Sequence, residues 1–304
     1  MLTETAAGVF AISVTPFLPD GALDLDSLDR VVDFYLEKGA TGLTVLGMMG
    51  EAGKLSAEER LRVVRRVVGR ANVPVVVGVS APGFAAMKAL TQESMAAGAA
   101  GVMVAPTANL RSDDQIMAYF RGVAETLGDT PFVLQDFPLA TGVTIPAKVI
   151  LRLIEDCPTL VMLKHEDWPG LDKISALRSA SNAGGRRISI LCGNGGQFLP
   201  EEMRRGADGA MTGFAYPEML VDVLRETVAH NPDRAQDIFD CYLPLVRHET
   251  QPGLGLSVRK YILSKRGVIA HDHQRAPGAS LNAAGQAEID FLIARQERRL
   301  AALA

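Results

Sequence analysis

The chain is poor in several of the features that would narrow its function quickly. Its three cysteines, Cys157, Cys192 and Cys241, lie far apart in 304 residues with no CxxC pair, so no disulfide framework or cysteine metal site is encoded, and a reducing compartment is expected. Positive charge is not in excess. Lys plus Arg number 31 against 35 Asp plus Glu, a net charge of −4, which leaves no electrostatic footprint for DNA, RNA or an anionic membrane surface. Long apolar runs are missing too: no stretch approaches roughly eighteen uninterrupted apolar residues, and MLTETAAGVF lacks the basic start of a secretory signal. A cytoplasmic protein without nucleic-acid or membrane partners is expected. What is present is globular material, 48% hydrophobic and 22% charged, enough for a large core.

Short β-branched or apolar runs alternate with segments of helical period. Gly8–Val14 precedes Ser27–Lys38, Gly42–Leu46 precedes Ser56–Arg70, Pro74–Val79 precedes Gly83–Ala97, and Gly101–Ala105 precedes Asp113–Leu127. The rhythm continues with Pro131–Gln135 before Pro146–Asp156, Leu160–Lys164 before Leu171–Ser181, Ile188–Cys192 before Leu199–Arg205, and Gly209–Gly213 before the helix after Tyr216. Ser56 with Glu59 reads as a capping box, Asp113 stands at a predicted N-cap, and Gly39, Gly98 and Gly206 close helices where a left-handed residue is needed. This pattern predicts an α/β protein, a (β/α)₈ TIM barrel over residues 1–230, with a C-terminal helical extension over 231–304 packed on it. Its helical stretches are Ala235–His248, Leu254–Lys265 and Ala283–Ala301.

In such barrels the reacting groups sit at the C-terminal ends of strands. Lys164 closes the apolar strand Leu160-Val161-Met162-Leu163, where poor hydration favours the neutral amine that can attack a carbonyl. A strand-end lysine reaching to solvent is the competing reading. Gly47 to Lys54 is not a phosphate loop, since GxxxxGK[ST] would require Gly at Met48 and Ser or Thr at Leu55. His271-Asp272-His273 lies in a polar turn without a third ligand and is read as a solvated loop. Met203 and Met219 fall in core stripes.

Thr15-Pro16-Phe17 after the first strand, Gly47-x-x-Gly50-Glu51 with Leu55-Ser56-x-x-Glu59-Arg60, and the strand-end Lys164 resemble the dihydrodipicolinate synthase and N-acetylneuraminate lyase family. The resemblance spans residues 8 to about 230. It implies a class I lyase whose lysine condenses with a small-molecule 2-oxo acid, without a metal or organic cofactor, and a homo-oligomer, tetramer or dimer. Gln135-Asp136-x-Pro138, Lys164-x-Glu166, Gly209-Ala210-Met211-Thr212-Gly213, His248-Glu249 and Arg259-Lys260 are similar to the L-2-keto-3-deoxyarabonate dehydratase subgroup.

The departures shape the expected chemistry. Met48 and Met49 replace the two hydroxyl residues that the family uses to hold the substrate carboxylate, leaving that loop's backbone N–H groups. Gln135 replaces the tyrosine that shuttles protons, and an amide cannot titrate. Ala140 replaces an arginine of the biosynthetic synthases, with Arg111 as the nearest substitute cation. The expected catalytic residues are therefore Lys164 and Glu166, and the expected substrate-binding residues are Gly47, Met48, Met49, Gln135, Gly193 and Met211. The expected reaction is dehydration of a 2-oxo-3-deoxy sugar acid. A pyruvate-dependent aldolase, a 4-hydroxy-tetrahydrodipicolinate synthase, and a 2-oxo acid binding protein on a degraded scaffold stand as alternatives.

Overall fold

The computed structural model of the chain describes residues 1–168 and 170–303. Eight strands close a parallel barrel in sequence order: β1 Gly8–Ile12, β2 Gly42–Val45, β3 Val75–Gly78, β4 Gly101–Val104, β5 Phe132–Asp136, β6 Leu160–His165, β7 Ser189–Cys192 and β8 Gly209–Thr212. Helices α1 Leu25–Glu37, α2 Ala57–Arg70, α3 Phe84–Ala96, α4 Asp113–Leu127, α5 Pro138–Thr141, α6 Ala147–Asp156, α7 Leu171–Asn182, α8 Leu199–Arg204 and α9 Pro217–Val228 follow the strands. The chain then adds α10 Pro232–Glu249, α11 Gly255–Lys265 and α12 Ala283–Leu303.

Periodicity dictates the two faces of each strand. On β6, Leu160 and Leu163 pack outward against the helices, while Met162 joins Phe10, Val76, Met103, Val133, Leu191 and Met211 inside the barrel. Strand β6 carries one extra residue: Phe132 pairs with Leu160, but Val133 pairs with Met162, so Val161 is bulged out of register. Beyond this bulge, Gln135 of β5 stands beside Lys164. Leu2 plugs the lower end, its N–H bonded to Ala100 O at 2.7 Å.

The capping box at Ser56 and Glu59 forms, and Gly39, Gly98 and Gly206 close their helices with φ of +88°, +100° and +96°. One cap differs from the sequence reading. Ser112, not Asp113, caps α4, its hydroxyl accepting from Gln115 N–H while Asp113 begins the first turn; a hydroxyl one residue earlier outcompetes the carboxylate for the cap geometry. The short α5 after β5 and the tight turns Met48–Gly50 and Asn194–Gly196 carry no hydrophobic period that the sequence could reveal.

The C-terminal helices are joined to the barrel by buried charge. Lys260 Nζ, fully buried, donates to Thr15 O at 2.9 Å and His273 O at 2.8 Å, and meets Glu51 Oε1 at 2.5 Å over the Phe17 ring. Removing a lysine from water is tolerated only with such complete pairing. Arg266, half-buried just past the end of α11, reaches Ala215 O at 2.5 Å and Glu218 at 2.6 Å. Thus α11 forms part of the barrel's rim. No described helix is long and apolar enough to cross a membrane.

Candidate active site

Lys164 is the last inward-facing residue of β6 and is only 3% exposed. Its Nζ lies 3.0 Å from Oε2 of Glu166, two residues further along the same face. Gln135 Nε2 donates to that same oxygen at 2.7 Å. Glu166 is also held through its backbone: its N–H donates to Asp136 O at 2.9 Å, and Asn194 Nδ2 donates to its carbonyl at 2.9 Å. Gly193 leaves room for the carboxylate, since a Cβ there would overlap Glu166 Cγ. The result is an amine and a carboxylate in one fixed arrangement at the floor of the mouth.

That floor belongs to a cavity of about 290 Å³ lined on one side by Ile12, Met48, Met49, Gln135, Lys164 and Glu166. Its other wall is made by Asn194, Thr212, Gly213, Glu249, Thr250 and Arg259. A larger cleft of about 720 Å³ lies near Ser80, Phe84, Thr107, Asn109 and Tyr119. It offers no amine or carboxylate, and the Tyr119 hydroxyl is pushed up to about 12 by burial. Chemistry, not size, selects the smaller cavity.

The alternate residues of the same strands face the helix layer. Asp136 is paired with Lys173 at 2.6 Å, and Lys173 also meets Asp167 at 2.7 Å. Burial raises the Asp136 carboxyl to about 6 despite that lysine. Burial lowers His165 to about 4, keeping the imidazole neutral. Glu202 of α8 is raised to about 8 by burial beside the Cys192 thiol, itself pushed well above its ordinary value. None of these groups lines the cavity.

The structure brings Lys164, Glu166, Gln135, Met48 and Met49 together, as the sequence suggests. Gly47 lines a neighbouring cavity of about 200 Å³ with Met48 and Gln135, and Gly193 supports Glu166 from behind. Met211 is displaced from its expected role. It is fully buried beside Phe10, one layer below Ile12 and the cavity, and it fills the barrel interior. Arg111 bonds to Ala108 O and Leu110 O and lies outside the cavity. His271, Asp272 and His273 are exposed, and no group of three or more His, Cys, Asp or Glu among the described residues is placed to hold a metal. Sequence reasoning missed Thr212, Asn194, Glu249 and Arg259 as cavity residues. The signal for Glu249 and Arg259 was their place in the His248-Glu249 and Arg259-Lys260 pairs that resemble the dehydratase subgroup, with no local pattern putting them at the mouth.

A closed parallel barrel thus carries a buried lysine and carboxylate at its strand ends, in one cavity. The chain belongs to the Dihydrodipicolinate synthetase family, which it matches over residues 5–296. A crystal structure named as the dihydrodipicolinate synthase of Rhodopseudomonas palustris is 55% identical, with a TM-score of 0.95, covering 97% of this chain and 99% of that one. The 4-hydroxy-tetrahydrodipicolinate synthase of Methanothrix thermoacetophila is 34% identical over 251 residues, 81% of this chain and 83% of its own. The L-2-keto-3-deoxyarabonate dehydratase of Azospirillum brasilense is 30% identical over 303 residues, 97% of this chain and 95% of its own. The protein is a lyase of this family.

Proposed function

We propose that the protein forms a Schiff base between Lys164 and a 2-oxo acid, and that it dehydrates a 2-oxo-3-deoxy sugar acid. The observation that carries this reading is the buried Lys164–Glu166 pair at 3.0 Å, with an amide, Gln135, donating to the same carboxylate oxygen. The amine attacks the C2 carbonyl, and loss of water gives a protonated imine that acidifies the C3 protons. Glu166 takes one of them. The enamine then expels the C4 hydroxyl, to which the carboxyl returns its proton, so one group serves both transfers and water leaves. Retro-aldol cleavage needs a base at the C4 hydroxyl instead, and Gln135 cannot ionise to assist it.

The substrate carboxylate has donors although the loop hydroxyls are missing. Gly50 N–H bonds to Gly47 O and Glu51 N–H to Met48 O, each at 3.0 Å, while Met48 and Met49 N–H have no backbone partner among the described bonds. This loop follows β2, four strands from β6 and hence across the mouth from Lys164. The dehydratase named among the relatives supports the reading across nearly the whole chain.

A second reading, 4-hydroxy-tetrahydrodipicolinate synthase, is favoured by the names of the other relatives. Ala140 argues against it, because an alanine at the cavity wall cannot make the bidentate carboxylate contact of an arginine. One panel separates the two. Borohydride with pyruvate should add mass to the protein, 2-oxo-3-deoxy sugar acids should lose water, and a coupled assay with aspartate semialdehyde should show little turnover. Glu166→Gln should keep the trapping and lower dehydration by about 10² or more. Release of pyruvate and an aldehyde, or synthase rates far above dehydration, would replace the dehydratase reading. Assembly as a dimer or tetramer belongs to the same proposal and is read by light scattering.

A further inference from the structure

The wall of the cavity beside β8 holds a cation that the reaction above does not use. Arg259, on α11, is 2% exposed. Its Nε donates to Glu249 Oε2 at 2.7 Å and its Nη2 to Gly213 O, while Glu249 Oε1 accepts from Ala215 N–H at 3.0 Å. Nη1 is buried and has no hydrogen-bond partner among the described residues. Leaving a guanidinium nitrogen dry and unpaired is costly, and in a site it points to an acceptor that arrives with the ligand. The residue next to it fits that view: at Gly213 any Cβ would overlap Nη1, so the chain keeps a space open for the guanidinium at the cavity wall.

The occupied edges of this guanidinium restrict what it can hold. A carboxylate approaching the guanidinium side-on would need both Nε and Nη2, and these already donate to Glu249 and to Gly213 O. Glu249 also neutralises the charge. The Nη1 end is left without a partner, beside a carboxylate that balances the charge, which suits an uncharged acceptor better than a second anion. Its position is telling as well. Gly213 follows β8, two strands from β6 and two from β2 around the closed barrel, so Arg259 offers a third point of attachment beside the imine and the carboxylate loop.

We propose that Arg259 determines specificity: its Nη1 donates to a hydroxyl at the end of the substrate remote from the imine, selecting hydroxylated 2-oxo acids over pyruvate and over acids ending in a second carboxylate. This rests on the Schiff-base reading, and the test keeps the two apart. Borohydride trapping is titrated with pyruvate, with 2-oxoglutarate and with a 2-oxo-3-deoxy pentonate, on the wild type, on Arg259→Lys, which keeps a cation for Glu249, and on Gly213→Ala, which leaves the charges and displaces Nη1. The ratio of half-saturating concentrations, pentonate over pyruvate, should rise about 10- to 100-fold in both variants. The wild type should be trapped more readily with the pentonate than with 2-oxoglutarate. An unchanged ratio in the folded variants, or wild-type preference for 2-oxoglutarate, overturns the role of Arg259 while the Schiff base stands. A wild type that no acid labels overturns the Schiff base and this inference with it. Should Arg259→Lys fail to fold, Gly213→Ala decides alone.

Discussion

The lower interior of the barrel and its mouth are built from the same strands yet obey opposite rules. Below, Phe10, Val76, Met103, Val133, Met162, Leu191 and Met211 pack as one cluster of apolar side chains, with the small hydroxyl residues Thr44 and Ser189 buried on the same inward face. Above, Lys164 with Glu166 and Arg259 with Glu249 bury four ionisable side chains around a cavity. Met162 and Lys164 are two residues apart on β6, about 7 Å along one strand face, and they divide between the two regions. Depth along the barrel axis, not direction alone, separates packing from chemistry.

The largest expected effect breaks the mouth. Lys164→Ala removes the only nucleophile invoked, so borohydride trapping should vanish and turnover should fall by about 10⁴ or more. Persistent labelling would place the imine on another lysine. The interior should respond in the converse sense: Met211→Ala deletes a fully buried side chain and should lower unfolding free energy by about 2–5 kcal/mol, read by denaturant titration. If it instead abolishes trapping with stability intact, Met211 belongs to the mouth after all.

The smallest effect lies outside both regions, in the layer between strands and helices. Glu202 is protonated in the folded protein up to about pH 8, whereas an ordinary glutamate ionises near 4.5. Between these values the native state binds more protons than the unfolded one, so stability is present at low pH and is lost as pH rises towards 8. His165, lowered from 6.5 to about 4, and Asp136, raised to about 6, also add to the slope near pH 6.5, so the part due to Glu202 is the difference between the wild type and Glu202→Gln. From about pH 6.5 to 8 Glu202 should therefore contribute a decline of at most about 1.4 kcal/mol per pH unit. Glu202→Gln should flatten that slope in thermal melts; an unaltered slope would show that the carboxyl ionises in place.

The barrel was legible because period-2 strands and period-3.6 helices alternate with sharp glycine stops, as at Gly39, Gly98 and Gly206. The lysine was legible because it ends an apolar strand. Glu166 followed from alternation, and its contact with Lys164 is what that spacing allows. Met211 shows the limit: an inward position was recognised, but its level follows from the stagger between strands, which sets Met211 beside Phe10 and beneath Ile12. Arg259 shows another. Its place at the mouth depends on the packing of α11 against the rim through Lys260 and Glu51, a contact spanning some two hundred residues that no local pattern encodes.

The bulge at Val161 turns the orientation of Lys164 into a matter of parity. Side chains on a strand alternate, so each residue between the bulge and the mouth counts as odd or even, and only one parity faces the interior. Losing a single residue there would exchange Lys164 with His165, sending the amine among the helices and an imidazole into the cavity. Losing two would keep the faces and merely change the depth. A surface loop has no such parity to keep, but β6 is a segment in which insertions and deletions are counted modulo two.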